Sequence, residues 1–370
     1  MYLLLLGLAT SGWTQTPVFQ SGTGGYASFR IPAIIKGPNG HLLAFCEGRV
    51  KHAGDFGNID IVMKESRDQG KTWSTLQTLI DVDSLQAGNP APVVDLLDPR
   101  FPNGRLFLFY NTGNNHEGEV RKGNGRREVW YITSIDNGKS WSGPINITEQ
   151  VHRPNTTADW RSYANTPGHA LQFTQGKYKG RIYVAANHSA GDPKPRFEDY
   201  QAHGFYSDDH GVSFRLSESV RILGSNESTA AELSGNRLML NSRNQKGDIR
   251  ARIVSISKDG GNTWDSSYFD QELIDPVCEG SLLNIGWKKG KAKLAFCNPA
   301  SQTKRDSLTI RFSFDEGRSW TKNLLVDDAS GTGDHHAYSD LAQINKRKIG
   351  VLYERNGYKQ IVFKSVDIPQ

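Results

Sequence analysis

The chain of 370 residues carries 44 Lys and Arg against 39 Asp and Glu, a formal net charge of +5, with a hydrophobic fraction of 36%. Its basic residues are scattered rather than gathered into a stripe, which argues against a nucleic-acid binder, while an acidic small-molecule partner is compatible with the charge. The 38 glycines, the many Thr/Val/Ile/Phe runs and the lack of a long helical period point to an all-β chain.

Residues 1–29 contain no charged side chain, and an apolar run at 3–9 is followed by small and polar residues. That run is far below the ~20 residues that span a bilayer, so no membrane span is expected. Residues 1–15 read as the remnant of a secretory signal whose basic front is missing, which predicts a secreted or periplasmic protein; a buried N-terminal strand is the alternative.

The segment 29–35 (F-R-I-P-A-I-I) predicts a strand with Arg30 amid apolar neighbours, and 41–49 (H-L-L-A-F-C-E-G-R) a second strand ending on Arg49. A loop at 50–58 holds Asp55 among glycines and precedes a third strand at 59–64. An eight-residue phrase then closes the unit: 66–73, S-R-D-Q-G-K-T-W. It recurs at 134–141, 207–214, 257–264 and 313–320, always as S-x-D-x-G-x-[ST] and an aromatic, at steps of 68, 73, 50 and 56.

Asp and Ser in such a phrase bond nearby backbone groups, and Gly supplies the positive φ of a tight turn, so the phrase is read as a hairpin corner and not as a binding site. Strand runs at 104–110 and 129–133, 180–186 and 203–207, 237–243 and 250–257, and 293–297 and 308–313 lead into the later copies; 341–344 and 348–354 follow the last. Steps of this length with strands on both sides are the signature of propeller blades. Length alone suggests two or three domains of about 150 residues, but a propeller buries its core between blades and counts as one unit. The expected architecture is a single six-bladed β-propeller over 16–370 with four-stranded antiparallel blades, whose last strand comes from the other terminus.

The three cysteines, Cys46, Cys278 and Cys297, lie in apolar strand contexts. Cys278 and Cys297 could pair, but all three are read as buried thiols. Four N-x-[ST] sequons, at Asn146, Asn155, Asn187 and Asn226, mark surface loops if the source glycosylates exported proteins and mean little otherwise; no function is assigned to them. His335 and His336 lack a third ligand at suitable spacing, so no metal site is expected.

A propeller gathers inner-strand ends around one axial pocket. Arg30, Arg243 and Arg305 stand at such ends; each alone is an ordinary surface arginine, but together they suggest a carboxylate clamp, since hydrogen bonds to a charged group are worth roughly 1.5–3 kcal/mol each. Glu354 is placed to orient one of them. A second set comprises Asp55, Glu232 and Tyr338, for which a turn residue and ordinary core or rim residues are the plainer readings.

The combination of F-R-I-P (29–32), the five corner phrases or Asp boxes, E-G-R (47–49) with a loop Asp after it, A-E-L (231–233), L-N-S-R-N (240–244), K-R-D-S-L (304–308), A-Y-S-D-L (337–341) and L-Y-E (352–354) resembles the exo-α-sialidases of bacterial and animal type. The resemblance covers the whole chain after the leader. It implies a six-bladed propeller that acts as a monomer without cofactor or metal on sialylated glycans of glycoproteins, glycolipids and oligosaccharides. It assigns Arg30, Arg243 and Arg305 to the substrate carboxylate, Glu354 to steadying Arg30, and Arg49 to the pocket near the 4-hydroxyl. Asp55 becomes the acid/base, Tyr338 the nucleophile and Glu232 its base. The segment 227–233 (E-S-T-A-A-E-L) departs from the family pattern and holds a second acid, Glu227. The hydrophobic wall for an N-acetyl group is not carried by any motif, and Trp160 is only a guess.

Sialidases are a tyrosine exception to the two-carboxylate rule of glycosidases. The anomeric carbon of sialic acid bears a carboxylate, so a neutral phenol attacks without like-charge repulsion, and its ordinary pKa of about 10 requires an adjacent base. Two other classes stay open at the level of sequence: a trans-sialidase or anhydro-forming enzyme, and a non-catalytic propeller that binds glycans.

Overall fold

The computed structural model describes residues 15–328 and 337–369. Of the expected leader only Gln15 falls among them; His335 and His336 lie outside. Among the described residues the chain is almost entirely strand, with two short helices, Glu117–Arg121 and Thr148–Val151, and one 3-10 turn, Pro195–Phe197. No described helix is long and apolar enough to cross a membrane.

The strands sort into five sheets. Trp160–Asn165, Leu171–Gln172, Ile182–Ala190, Tyr200–Ser207 and Arg215–Leu216 form one; Ser225–Glu232, Leu238–Asn244, Ala251–Ser257 and Ser266–Ile274 the next. Ser281–Lys288, Lys291–Pro299, Leu308–Ser313 and Lys322–Asp327 form a third. In the fourth, Ser339–Asn345, Lys348–Arg355 and Gln360–Asp367 are completed by Thr16–Gln20 from the N-terminal end, antiparallel to Gln360–Asp367, as expected for a closing strand.

The remaining eight strands, from Ser28–Lys36 to Ile145–Asn146, make one continuous sheet. The expectation of six separate four-stranded antiparallel blades is therefore corrected: four blades stand alone, and the rest of the propeller is a single eight-stranded sheet with one parallel link. The physical reason is local. The Ile59 N–H donates to the Leu85 carbonyl (3.2 Å), and a parallel bridge pairs Ile59 with Gln86 where two antiparallel groups would otherwise part.

Strands meet around a ring: Ser28–Lys36 lies against Gln86–Asp95 of its own sheet and Ser339–Asn345 of the next, and Ser225–Glu232 lies against Ile182–Ala190 and Ser281–Lys288 of its two neighbouring sheets. All eight residues of Leu42–Arg49 are buried, because both faces of the strand are covered. The core sits between sheets: Phe107, Phe109, Phe205 and Phe214 fill one seam, Met239, Phe296 and Trp320 another, and Phe19, Phe29 and Phe363 the closing one. Asp340 ties the axis together, accepting from Ile34 N (2.8 Å), His169 Nδ1 (2.7 Å) and Ser281 Oγ (2.7 Å). The cysteines are free and buried, as expected.

The repeated phrase is a corner held by its own side chains. In the first copy the Gly70 N–H donates to Ser66 Oγ (2.8 Å), while Thr72 donates to Asp68 through its N–H (2.9 Å) and its hydroxyl (2.6 Å). The same bonds recur in the other four copies, from Gly138 and Ser140 to Gly317 and Ser319. These bonds, chiefly those from Thr72, hold the Asp68 carboxyl down at about 2. Gly70 has φ +91, and a Cβ there would lie 2.0 Å from the Phe363 ring of the closing sheet. The corner thus packs flat against its neighbour, and its role is structural.

Candidate active site

Two cavities open at opposite ends of the axis, and the inner strands run from one to the other. Ser28–Lys36 contributes Arg30 and Ile31 to the first and Ile34, Ile35 and Lys36 to the second; Ser225–Glu232 likewise contributes Asn226 and Glu227, then Ala230, Ala231 and Glu232. The larger cavity, about 640 Å³, is mostly apolar. The smaller, about 380 Å³, holds the convergent charges: Arg30, Arg49, Asp55, Glu227, Arg243, Arg305 and Tyr338. Chemistry needs groups that face one another, so the smaller cavity is the candidate site despite its size.

At its centre the Tyr338 hydroxyl donates to Glu227 Oε1 (2.5 Å). Arg243 Nη1 donates to both members of this pair, to Glu227 Oε2 (2.6 Å) and to Tyr338 Oη (2.9 Å). Burial pushes the Tyr338 phenol well above its ordinary value and Glu227 pushes it further, against the pull of Arg243 and Arg305. The phenol is therefore neutral at rest and donates. For Arg243, burial opposes the charge, but Glu227 and Tyr338 more than offset that and raise its pKa.

A second carboxylate sits behind the tyrosine. Glu354 is fully buried and accepts from Arg30 Nε (2.6 Å), Ile31 N (2.9 Å) and Tyr338 N (3.2 Å), so one side chain fixes an arginine and the tyrosine backbone together. Ile31 pays for this geometry with φ +61, a conformation rare for a β-branched residue, at a register shift between Arg30 and Ala33. Burial opposes the Arg30 charge, and Glu354 outweighs it.

At the mouth, Arg49 donates to Glu47 through Nε (3.0 Å) and Nη2 (2.7 Å), and through Nη1 to Asp55 Oδ1 (2.8 Å). Arg30 Nη1 lies 3.9 Å from the same carboxylate, whose side chain is 73% exposed. Crowding by the cavity wall pushes Asp55 up, but the Arg49 and Arg30 guanidiniums and the Arg49 hydrogen bond outweigh it and leave the carboxyl below its usual value.

One expected member is missing. Glu232, expected beside Tyr338, accepts instead from Thr174 N (2.9 Å), Thr174 Oγ1 (2.7 Å) and Gln175 N (2.9 Å), and it lines the other cavity. It follows Glu227 by five residues in one strand, about 17 Å at the usual rise, and Glu227 itself sits in a register shift between Ser225 and Ser228, so the two carboxylates reach different cavities. Hairpin register carries the missed signal: Glu232 pairs with Leu238 next to the turn and Ser228 with Ser242, so Arg243 comes level with Glu227.

Other residues of the cavity had no assigned role, and all but Glu47 of the E-G-R motif had no family motif either. Glu47, Glu117, Arg127, Tyr163 and Tyr358 line it, as do Asn187 and Asn226. The last two carry sequons, yet both are buried in strands, whereas Asn146 and Asn155 are exposed. Trp160 stacks on His188, with centroids 3.5 Å apart, and does not line the cavity. Among the described residues, Asp95, Asp98 and His210 approach closely enough to hold a metal ion, but Arg100 and Arg105 already donate to Asp98, and Gln172 and His210 meet Asp95.

Residues 40–351 match the BNR repeat-like domain family. The chain is 31% identical over 363 residues to a sialidase of Micromonospora viridifaciens, covering 92% of this chain and 52% of that protein. It is 29% identical over 377 residues to a sialidase of Bacteroides fragilis, covering 95% and 64%. With sialidase-2 of Cricetulus griseus it shares 26% identity over 373 residues, 94% of each chain. Among solved structures it resembles a Hadza microbial sialidase, with a TM-score of 0.81 and 25% identity over 96% of this chain and 68% of that one. A Trypanosoma rangeli sialidase shares the fold, with a TM-score of 0.71, 20% identity, and 95% and 57% coverage. The chain thus spans only 52% and 64% of the first two curated relatives.

Proposed function

The chain belongs to the BNR repeat-like domain family and is similar along most of its length to sialidases, and we propose that its polar cavity is an exo-α-sialidase site, which releases terminal sialic acid from glycoconjugates with retention of configuration. The observation that carries this reading is the 2.5 Å hydrogen bond from Tyr338 to Glu227 inside a cluster of three arginines.

In this reading Arg30, Arg243 and Arg305 receive the substrate carboxylate. Tyr338 Oη attacks the anomeric carbon while its proton passes to Glu227 Oε1. The glycosidic bond breaks, and the leaving oxygen takes a proton from Asp55. In the second half Asp55 accepts a proton from water, which attacks the anomeric carbon; the phenolate departs and recovers its proton from Glu227. Two inversions give net retention. Positive charge on the ring develops beside the bound carboxylate, and a positioned acid or base contributes about 10²–10⁴-fold.

The charges support this sequence. Arg243 balances Glu227 at rest; once Glu227 takes the proton, the substrate carboxylate supplies the missing counter-charge. Arg30 helps hold Asp55 ionised, so a carboxylate on Arg30 weakens that hold and favours the protonated acid. Glu227, not Glu232, is the base.

Incubation with a fluorogenic α-sialoside, followed by NMR of the sugar product, tests the proposal. Free sialic acid appearing first as the α-anomer is expected. A 2,7-anhydro product would replace hydrolysis by intramolecular transfer, and sialoside binding without any product would leave a glycan-binding module.

A further inference from the structure

The three arginines of the site are not held alike. Arg30 is tied to Glu354 and Arg243 to Glu227, each by an ion pair of 2.6 Å. Arg305 makes no ion pair among the described residues. Its Nη2 donates to the Val277 carbonyl (3.1 Å) and its Nη1 to the Tyr358 hydroxyl (3.3 Å). The ring of that same tyrosine faces Arg30, whose guanidinium carbon lies 4.0 Å from its centroid. One phenol therefore touches two of the three arginines.

The backbone that delivers it is unusual. Tyr358 closes the turn between Lys348–Arg355 and Gln360–Asp367, where Asn356, Gly357 and Tyr358 have φ of +61, +60 and +68 in succession. Asn and Gly enter the left-handed region readily; an aromatic residue does not. The turn is pinned from outside by Ser21, whose Oγ donates to the Tyr358 carbonyl (2.9 Å) and whose N–H donates to the Lys359 carbonyl (3.0 Å). Backbone strain of this kind persists where the surroundings enforce it and gathers at functional sites.

We propose that Tyr358 is a positioning residue that sets the carboxylate clamp by orienting Arg305 and facing Arg30, an inference that rests on the sialidase reading. The chemistry explains why the position is a tyrosine. A carboxylate would fix Arg305 more firmly, but it would compete with the substrate for the same guanidinium. A phenol orients the fork through one neutral acceptor, and its ring attracts Arg30 through the quadrupole; neither contact cancels charge. Among the described residues no carboxylate offsets Arg305, which leaves its charge for the substrate.

The test compares Tyr358→Phe, which keeps the ring, with Tyr358→Leu, which removes ring and hydroxyl. Calorimetry measures binding of a 2,3-unsaturated sialic acid analogue and of its methyl ester, beside kcat and KM. Loss of charge-assisted contacts predicts that Tyr358→Leu weakens the acid by about 10–100-fold, with the ester changed less than about 3-fold. Tyr358→Phe should fall between, and KM should rise more than kcat falls in both variants. Equal weakening of acid and ester, or no change in either, overturns the proposal. Should Tyr358→Leu fail to fold, the acid-to-ester ratio of Tyr358→Phe decides alone. A wild-type protein that neither binds the acid nor cleaves a sialoside overturns the sialidase reading itself, and this inference with it.

Discussion

Glu227 and Glu232 make a matched pair for mutation, because they share one strand and differ in what they face. Glu227→Gln removes the group that accepts the Tyr338 proton. A positioned base contributes about 10²–10⁴-fold, so the barrier should rise by about 2.7–5.5 kcal/mol, seen as that loss in kcat/KM. The same change leaves Arg243 with no carboxylate at 2.6 Å, and removing one partner of a buried pair costs about 3–5 kcal/mol, so stability should fall as well. Glu232→Gln keeps one acceptor oxygen for Thr174 but sets an amide NH₂ against a backbone donor, which predicts a loss of about 1–3 kcal/mol in stability with turnover nearly unchanged. Urea denaturation and kinetics on a fluorogenic sialoside separate the two effects. If Glu232→Gln abolishes turnover while Glu227→Gln preserves it, the placement of the base is refuted.

Tyr338→Phe should reduce kcat by about 10³-fold or more while the protein stays folded; a variant that turns over normally would remove the tyrosine from the mechanism. Burial holds His152 and His203 down at about 3, from an ordinary 6.5, so the unfolded chain binds protons that the folded chain refuses. Stability should fall as pH drops from 6.5 towards 3, by about 1.4 kcal/mol per pH unit for each histidine, and a urea midpoint that stays level from pH 7 to 5 would contradict it. Gly70→Ala forces a Cβ into the Phe363 ring at φ +91, for an expected loss of about 2–5 kcal/mol. Gly138→Ala, at φ +83 but no nearer than 3.5 Å to Leu43 and Met63, should lose only about 1–2 kcal/mol. Equal losses in urea would deny the corner glycine its part in packing neighbouring sheets together.

Much of the architecture was legible because it repeats. The corner phrase states its own hydrogen bonds: Ser, Asp, Gly and Ser/Thr are the atoms that make them, and all lie within seven residues. The cavity arginines were legible through the motifs that hold them, F-R-I-P, E-G-R, L-N-S-R-N and K-R-D-S-L, and not through periodicity. Tyr358 was not legible: nothing in N-G-Y states that the third residue will be left-handed and turned towards two guanidiniums. The burial of Asn187 and Asn226 was not legible either, because a sequon names a residue type at a spacing and says nothing of burial.

The all-β class, the corner turns and the identities of the charged groups follow from the sequence by itself, because each depends on residues close together in the chain. The number of separate sheets does not, since a single parallel bridge from Ile59 to Gln86 converts two antiparallel groups into one. Nor does the partner of Tyr338. Glu227 and Glu232 are the same side chain five residues apart, and each would accept a proton equally well in isolation. Strand rise carries them to opposite ends of the axis, and contact between Glu227 and Tyr338, 111 residues apart in the chain, exists only once the sheets have closed into a ring.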